Sequence, residues 1–374
     1  MFATASATAG ATRPKFPRMD TLTHALSGAL LARATAGNAE ALPLARRLAL
    51  GAVAAAFPDA DFVMSLGSPI AYLLNHRGLT HSLVALPVWA WLLAWLASRL
   101  WRDPRGWRPY FAVTAMGVGI HIAGDVITSY GTMIFAPLSD ARFALGTTFI
   151  IDLYFSGIIL AGLAASRWWR VSRTPAITAC AALVAYVGFQ AVLRHQAIEA
   201  GREYARAQRL DNAQVVALER PVSPFNWRIV VAQGDERRYA DVSLLARTMP
   251  APATEDAGLI ARLSSAFAPV PMARWIPAPL FGSSPEDRHI AREAWQQASF
   301  SFYRWFADHP ALYRIDRGNP STCVWFEDLR FNLPGRGNTP FRYGVCREHD
   351  GPWRPFQLIA GSERLKLGNF SSRD

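Results

Sequence analysis

The residues best able to do chemistry in this chain are histidines and aspartates set among apolar residues: His24, His76, His81 and His121, with Asp59, Asp61 and Asp125. An ionisable group inside a membrane-like segment costs on the order of 3 kcal/mol on insertion scales, so such groups tend to mark function. His121 and Asp125 are four residues apart, which puts both on one face of a helix. Asp59-Ala60-Asp61 follows Pro58, so a turn can hold two carboxylates around one centre. His76 and His81 stand five apart, across the start of a helix. Imidazole nitrogen with carboxylate oxygen suits Zn2+, and also Mn2+ or Fe2+. The set exceeds the four ligands of a closed structural zinc site. It leaves room for two ions, or for one ion with general acid–base groups, and the number of ions stays open. A bound divalent metal makes water a nucleophile near neutral pH. Arg77, next to His76, suits holding a phosphate or a developing oxyanion. Leu22-Thr23-His24 is echoed by Leu79-Thr80-His81, and each Thr can cap a helix or orient its His. Asp152 opens a further apolar segment, where capping is the plainer role and ligation the other.

The elements that must position these groups are apolar. Residues 79–98, 110–128, 149–166 and 175–193 each read as a membrane helix by length and composition. Residues 21–31 and 48–57 are shorter and read as short, tilted or broken helices. The expected fold is therefore an α-helical polytopic membrane domain of five or six segments over residues 19–199, followed by a small α+β extramembrane domain over 200–374. Arg46 and Arg47, then Arg99, Arg102, Arg105 and Arg108, then Arg167, Arg170 and Arg173 fill short loops. Arg-rich short loops stay in the cytoplasm. With these loops inside, all the candidate ligands fall in the outer half of the membrane, and the C-terminal domain falls outside the cytoplasm. Residues 1–18 lack the apolar core of a secretory signal and read as a disordered leader. Met19-Asp20 also looks like a natural start, which would make that leader an annotation extension.

Composition narrows the function. The 374 residues are 51% hydrophobic and carry a formal charge of +11, which invites either a nucleic acid or a membrane as partner. Residues 1–199 hold 16 basic and 9 acidic side chains, leaving 23 and 19 for the rest. The excess is larger in the apolar half, the reverse of a nucleic-acid-binding domain. Three cysteines cannot staple a chain this long. In the second half, residues 215–219, 227–231, 239–245, 313–315, 323–331, 341–346 and 356–359 read as strands, and 285–307 as a helix. Cys323 and Cys346 lie in adjacent strand candidates, either as a disulfide or as two buried thiols.

Met19-Asp20-Thr21-Leu22-Thr23-His24, Pro58-Asp59-Ala60-Asp61, His76-Arg77-Gly78-Leu79-Thr80-His81-Ser82, His121-Ile122-Ala123-Gly124-Asp125 and Tyr130-Gly131-Thr132 occur in this order. Together they resemble the membrane-bound metal-dependent hydrolase family of the YdjM type. The resemblance covers about residues 19–200 closely. It is looser through Pro221-Val222-Ser223-Pro224-Phe225-Asn226 and Asp328-Leu329-Arg330-Phe331. It implies an inner-membrane metal-dependent hydrolase with His24, Asp59, His76, His81, His121 and Asp125 as ligands. The order His, Asp, His, then His-x-x-x-Asp is also similar to part of the site in zinc-dependent phospholipase C, which hints at phosphoester chemistry.

The expected function is hydrolysis of an ester or phosphoester, of a small-molecule or lipid-like substrate, by metal-activated water. Asp59 or Asp61 would be the general base, and Arg77 would stabilise developing charge. The metal would be Zn2+, with Mn2+ or Fe2+ as alternatives. The expected partners are the lipid bilayer and that substrate, with no nucleic acid and the oligomeric state open. A non-enzymatic metal- or ion-binding or transport protein is the alternative. A transport path would need ionisable groups along the full membrane depth, whereas these lie in one half.

Overall fold

Most helices of the first half begin where a side chain or a proline closes their open N–H groups. The computed structural model describes residues 20–367 apart from 38–41, 67, 255, 319, 335–338, 350 and 362. The expected leader and Met19 lie outside the described residues. Asp20 caps α1 (Thr21–Ala34) through the Thr23 amide. α2 (Leu44–Ala56) runs straight into a 3-10 segment, Phe57–Leu66. The Ser68 hydroxyl caps α3 (Pro69–Asn75), and a single 3-10 turn, Leu79–His81, follows. Pro87 and Pro109 sit in the first turns of α4 (Leu86–Leu100) and α5 (Arg108–Val126). Asp152 caps α6 (Leu153–Trp168), and Pro175 opens α7 (Thr174–Ala207). Asp152 also accepts from Tyr186 and Gln190 on α7, so its role here is capping and helix pairing.

Small residues let α1, α2 and α5 approach closely. A Cβ at Gly28 would lie 2.2 Å from the Gly51 carbonyl oxygen, and one at Gly51 would lie 2.6 Å from that of Gly28. A Cβ at Gly117 would lie 2.6 Å from the Cβ of Ala54. This is small-residue packing of the kind that brings helix backbones together. It sets the site directly. His24 stands one turn before Gly28, and His121 one turn after Gly117. The Ala55 carbonyl, one turn after Gly51, meets the His121 ring.

The expectation of five or six membrane segments is corrected. Among the described residues, α7, with 34 residues, is the one helix long and apolar enough to cross a membrane. Residues 69–81 with 86–100 make a second only if that pair, bent by 76°, counts as one span. α5, at 19 residues, is unbroken but carries Arg108, His121 and Asp125, and the others fail by breakage or length. The apolar run 79–98 is divided at Ser82, which is extended, and the helix proper starts at Leu86. α4 and α6, at 15 and 16 residues, are roughly 22–24 Å long against a hydrocarbon core of about 30 Å. The architecture is α+β: a helical first half joined to two five-stranded sheets.

α7 makes the join, since it continues past residue 199 to Ala207. Its last turns pack Leu193, Ala197 and Ala205 on Trp227, Ile229 and Val231. The first sheet orders β1 (Gln214–Glu219), β2 (Asn226–Gln233) and β3 (Glu236–Ser243). β3 pairs on its far side with β4 (Ala268–Pro269) and β5 (Ile276–Pro277). A short helix, α8 (Leu259–Ser264), precedes β4. The expected helix 285–307 is broken: α9 (Pro285–Trp295) and α10 (Ser301–Phe306) flank a non-helical Gln297 and a 3-10 turn, Ala298–Phe300. The second sheet runs, antiparallel throughout, through β6 (Pro310–Arg317), β7 (Ser321–Asp328), β8 (Tyr343–Glu348), β9 (Arg354–Ala360) and β10 (Glu363–Lys366). An aromatic core of Phe300, Phe302, Tyr303, Phe306, Phe326 and Tyr343 lies beneath it. Cys323 and Cys346 face each other across β7 and β8 and form a disulfide.

Candidate metal centre

The centre is assembled from α1, the 3-10 segment after α2, the turn before α4, and α5. On α5, His121 and Asp125 are buried on one face, as their spacing requires. The His121 Nδ1 faces the Ala55 carbonyl, an acceptor, so Nδ1 carries the proton and Nε2 keeps a lone pair. The His81 Nδ1 meets the Thr80 hydroxyl at 2.9 Å, and that hydroxyl lies 3.5 Å from Asp61 Oδ2, which accepts from it. The His81 Nε2 is therefore also a free lone pair. These two Nε2 atoms stand 3.0 Å apart. Asp125 Oδ2 lies 3.1 Å from the first and 3.5 Å from the second, and Asp59 Oδ1 lies 3.6 Å from His121 Nε2.

Four electron-rich atoms thus converge with no proton between them. Among the described residues, no hydrogen bond of ordinary geometry reaches Asp59 Oδ1 or either oxygen of Asp125. Such an arrangement suits a cation. A tetrahedral ion with bonds of about 2.1 Å has ligand atoms about 3.4 Å apart, close to the separations observed. His24 completes the group. Its Nε2 lies 3.3 Å from Asp125 Oδ1, and its ring stacks on His121 at 3.9 Å. Two overlapping ligand sets result, His24–His121–Asp125 and Asp59–His81–His121. The residues present fit a divalent metal.

His76, Asp61 and Arg77 are placed around this group rather than in it. The Asp61 carboxylate takes the His76 Nδ1 at 2.9 Å and the Arg77 amide at 3.0 Å. Burial would raise the Asp61 carboxyl, but the hydrogen bonds from His76 and the Arg77 amide hold it below its ordinary value. His76 belongs to neither ligand set, and its ring stacks on Tyr72. Arg77 is fully buried. Its Nη2 lies 3.0 Å from Asp125 Oδ1, and its Nη1 donates to the Asp125 carbonyl and the Thr128 hydroxyl. Arg77 also has φ +58, a costly conformation for a residue with a Cβ. Its amide on Asp61 and its carbonyl under the Met133 amide hold it there. The two Thr-His echoes differ in use. Thr80 orients His81, while Thr23 bonds to Asp20 and Ser156.

Several participating groups escaped sequence reasoning. Thr21 donates to Asp59 Oδ2 at 2.7 Å, leaving Oδ1 toward the centre. The Ala55 carbonyl, Thr128 and the three packing glycines left no signal in residue type. Tyr130 did, through its motif. Its ring lies 4.7 Å from the Arg77 guanidinium and edge-on to Phe306, Phe331 and Phe341. Arg330 donates to the Ser129 and Tyr130 carbonyls, and Glu219 accepts from the Ser129 amide. Burial would raise the Asp328 carboxyl, but the charge and hydrogen bonds of Arg330 hold it low, so this clamp stays ionic. Both sheets therefore hold the turn against which Arg77 rests.

Residues 19–197 match the model of a family described as YdjM inner membrane protein, so the resemblance read from the motifs holds over that segment. A curated relative, the uncharacterized protein YfhP of Bacillus subtilis (strain 168), is 30% identical over 179 residues, or 46% of this chain. The match spans 53% of that relative, about half its length. No solved structure matches the chain.

Proposed function

We propose, for a chain whose residues 19–197 belong with YdjM inner membrane proteins, that the His/Asp centre is the active site of a metal-dependent hydrolase acting on an ester or phosphoester. The convergence of two imidazole lone pairs with carboxylate oxygens that accept no hydrogen bond of ordinary geometry carries this reading. A divalent ion would be held by His24, His81, His121 and Asp125, and when bound would supply Lewis acidity and a water acidic near neutral pH. Asp59, with Oδ2 held by Thr21 and Oδ1 aimed inward, is suited to take the proton from that water. His24 has a 13% exposed side chain, which suits it to meet substrate at the edge of the centre. Asp61 is a positioning residue, because it orients His81. Arg77 is also one, because its guanidinium is committed to Asp125 and Thr128. The test is turnover of bis(p-nitrophenyl) phosphate and p-nitrophenyl butyrate by zinc-loaded protein. Activity should vanish with chelator, return with zinc, and fall at least about 100-fold in Asp59→Asn. No turnover of either ester would sink hydrolysis and leave metal binding as the role.

The membrane reading has separate support. α4, α6 and α7 turn large apolar residues outward, among them Val88, Trp91, Leu96, Leu160, Val184 and Val192. The Cys323–Cys346 disulfide favours an oxidising compartment for the sheets, outside the cytoplasm. Protein trapped by acid directly from cells and denatured without reduction should take one thiol tag, on Cys180. After reduction it should take three. Three tags before reduction would place the sheets in the cytoplasm.

A further inference from the structure

We infer that the cavity beside the metal centre holds the single aliphatic chain of an amphiphile whose anionic, metal-binding head reaches His24 and Asp125. The cavity, about 380 Å3, lies between α1, α5, α6 and α7. That is within the usual size of a small-molecule site. Its chemistry is one-sided. Asp20, His24, Asp125 and Asp152 stand at one end, and Leu30, Phe155, Leu183 and Val187 line the length.

Helix geometry orders these residues by depth. Thr148 and Asp152 bond Gln190 on α7, which fixes that end of α7 at the level of the cavity's polar end. Arg33 at the end of α1 bonds the Arg170 and Ser172 carbonyls, which fixes the opposite end. Cys180 and Leu30 lie toward that second end, with Cys180 roughly 10 Å along α7 from Val187. A head group alone at His24 cannot reach Cys180. A chain can. Apolar walls favour a hydrocarbon over water, and His24 with Asp125 would give its head a metal-bearing anchor. The proposal rests on the metal-centre reading for the head group, but not on turnover.

The test uses Cys180 as a built-in reporter, the one free cysteine of the chain. Zinc-loaded full-length protein in phosphatidylcholine nanodiscs is labelled with a maleimide while dodecyl phosphate, butyl phosphate or dodecanol is titrated in. Dodecyl phosphate should halve the labelling rate at a concentration at least tenfold below either of the others. Val187→Trp, which narrows the path to Cys180, should remove that protection with metal content unchanged. Equal protection by butyl phosphate or by dodecanol, or none from any of the three, would overturn the inference. Phosphate release followed in the same samples separates the two readings. Protection without release, in protein that also turns over neither p-nitrophenyl ester, defeats hydrolysis and leaves the chain site standing. Release from butyl phosphate without chain-dependent protection does the reverse.

Discussion

His121→Ala should leave the purified protein without bound metal, whereas His76→Ala should keep its metal with affinity lowered about 10- to 100-fold. His121 belongs to both ligand sets, so its loss dismantles both. His76 meets the centre through Asp61, which in turn lies 3.5 Å from His81 Nδ1, and stands edge-on to the His81 ring. Partners that orient a metal-binding histidine are worth about that factor in affinity. Elemental analysis per mole of chain reads the first effect, and competition with a chelating dye reads the second. Circular dichroism on each variant checks that the helices persist. Equal metal in wild type and His121→Ala would remove the centre altogether. Complete loss in His76→Ala would make His76 a ligand, as the family resemblance implies, and would require its ring to leave Asp61.

The two histidine results also mark how far sequence could reach. His121 and Asp125 were legible because a spacing of four has one geometric meaning on a helix. His76 and His81 were legible as chemistry but not as separate roles. Their difference depends on Gly78, where a Cβ would meet the Asn75 carbonyl oxygen at 2.7 Å, and on Arg77 at positive φ. Asp59 and Asp61 share a turn, yet one faces the centre and the other faces His76. The membrane count failed for a related reason. Residues 82–85 end a turn and start a helix, but Leu83, Val84 and Ala85 are as apolar as the helix that follows. A hydropathy window cannot see a break made of apolar residues. The second half was legible where strands alternate, as in β2 and β7. It was not where pairing is only two residues long, as in β4 and β5. Gly28, Gly51 and Gly117 carried no signal at all, since their meaning lies in which backbone approaches them.

Arg77→Met should destabilise the metal-free protein by about 3–5 kcal/mol, and most of that loss should disappear when the metal is bound. The guanidinium is fully buried and is the cation nearest Asp125 Oδ1. Removing one partner of a buried pair leaves an uncompensated charge, and that penalty is about 3–5 kcal/mol. A divalent ion at the same carboxylate supplies positive charge in its place. Methionine keeps a Cβ at φ +58, so the backbone cost is the same in both proteins and cancels. Linkage then makes a second statement: the stability regained on metal binding must reappear as tighter binding. A recovery of about 2 kcal/mol corresponds to roughly 30-fold in affinity. Guanidinium unfolding in chelator and in excess zinc measures both sides of this balance. Equal destabilisation in the two conditions would mean that Arg77 acts through the Tyr130 ring and the sheets clamped behind it, not through Asp125. Unchanged stability with lost turnover would instead return Arg77 to the substrate.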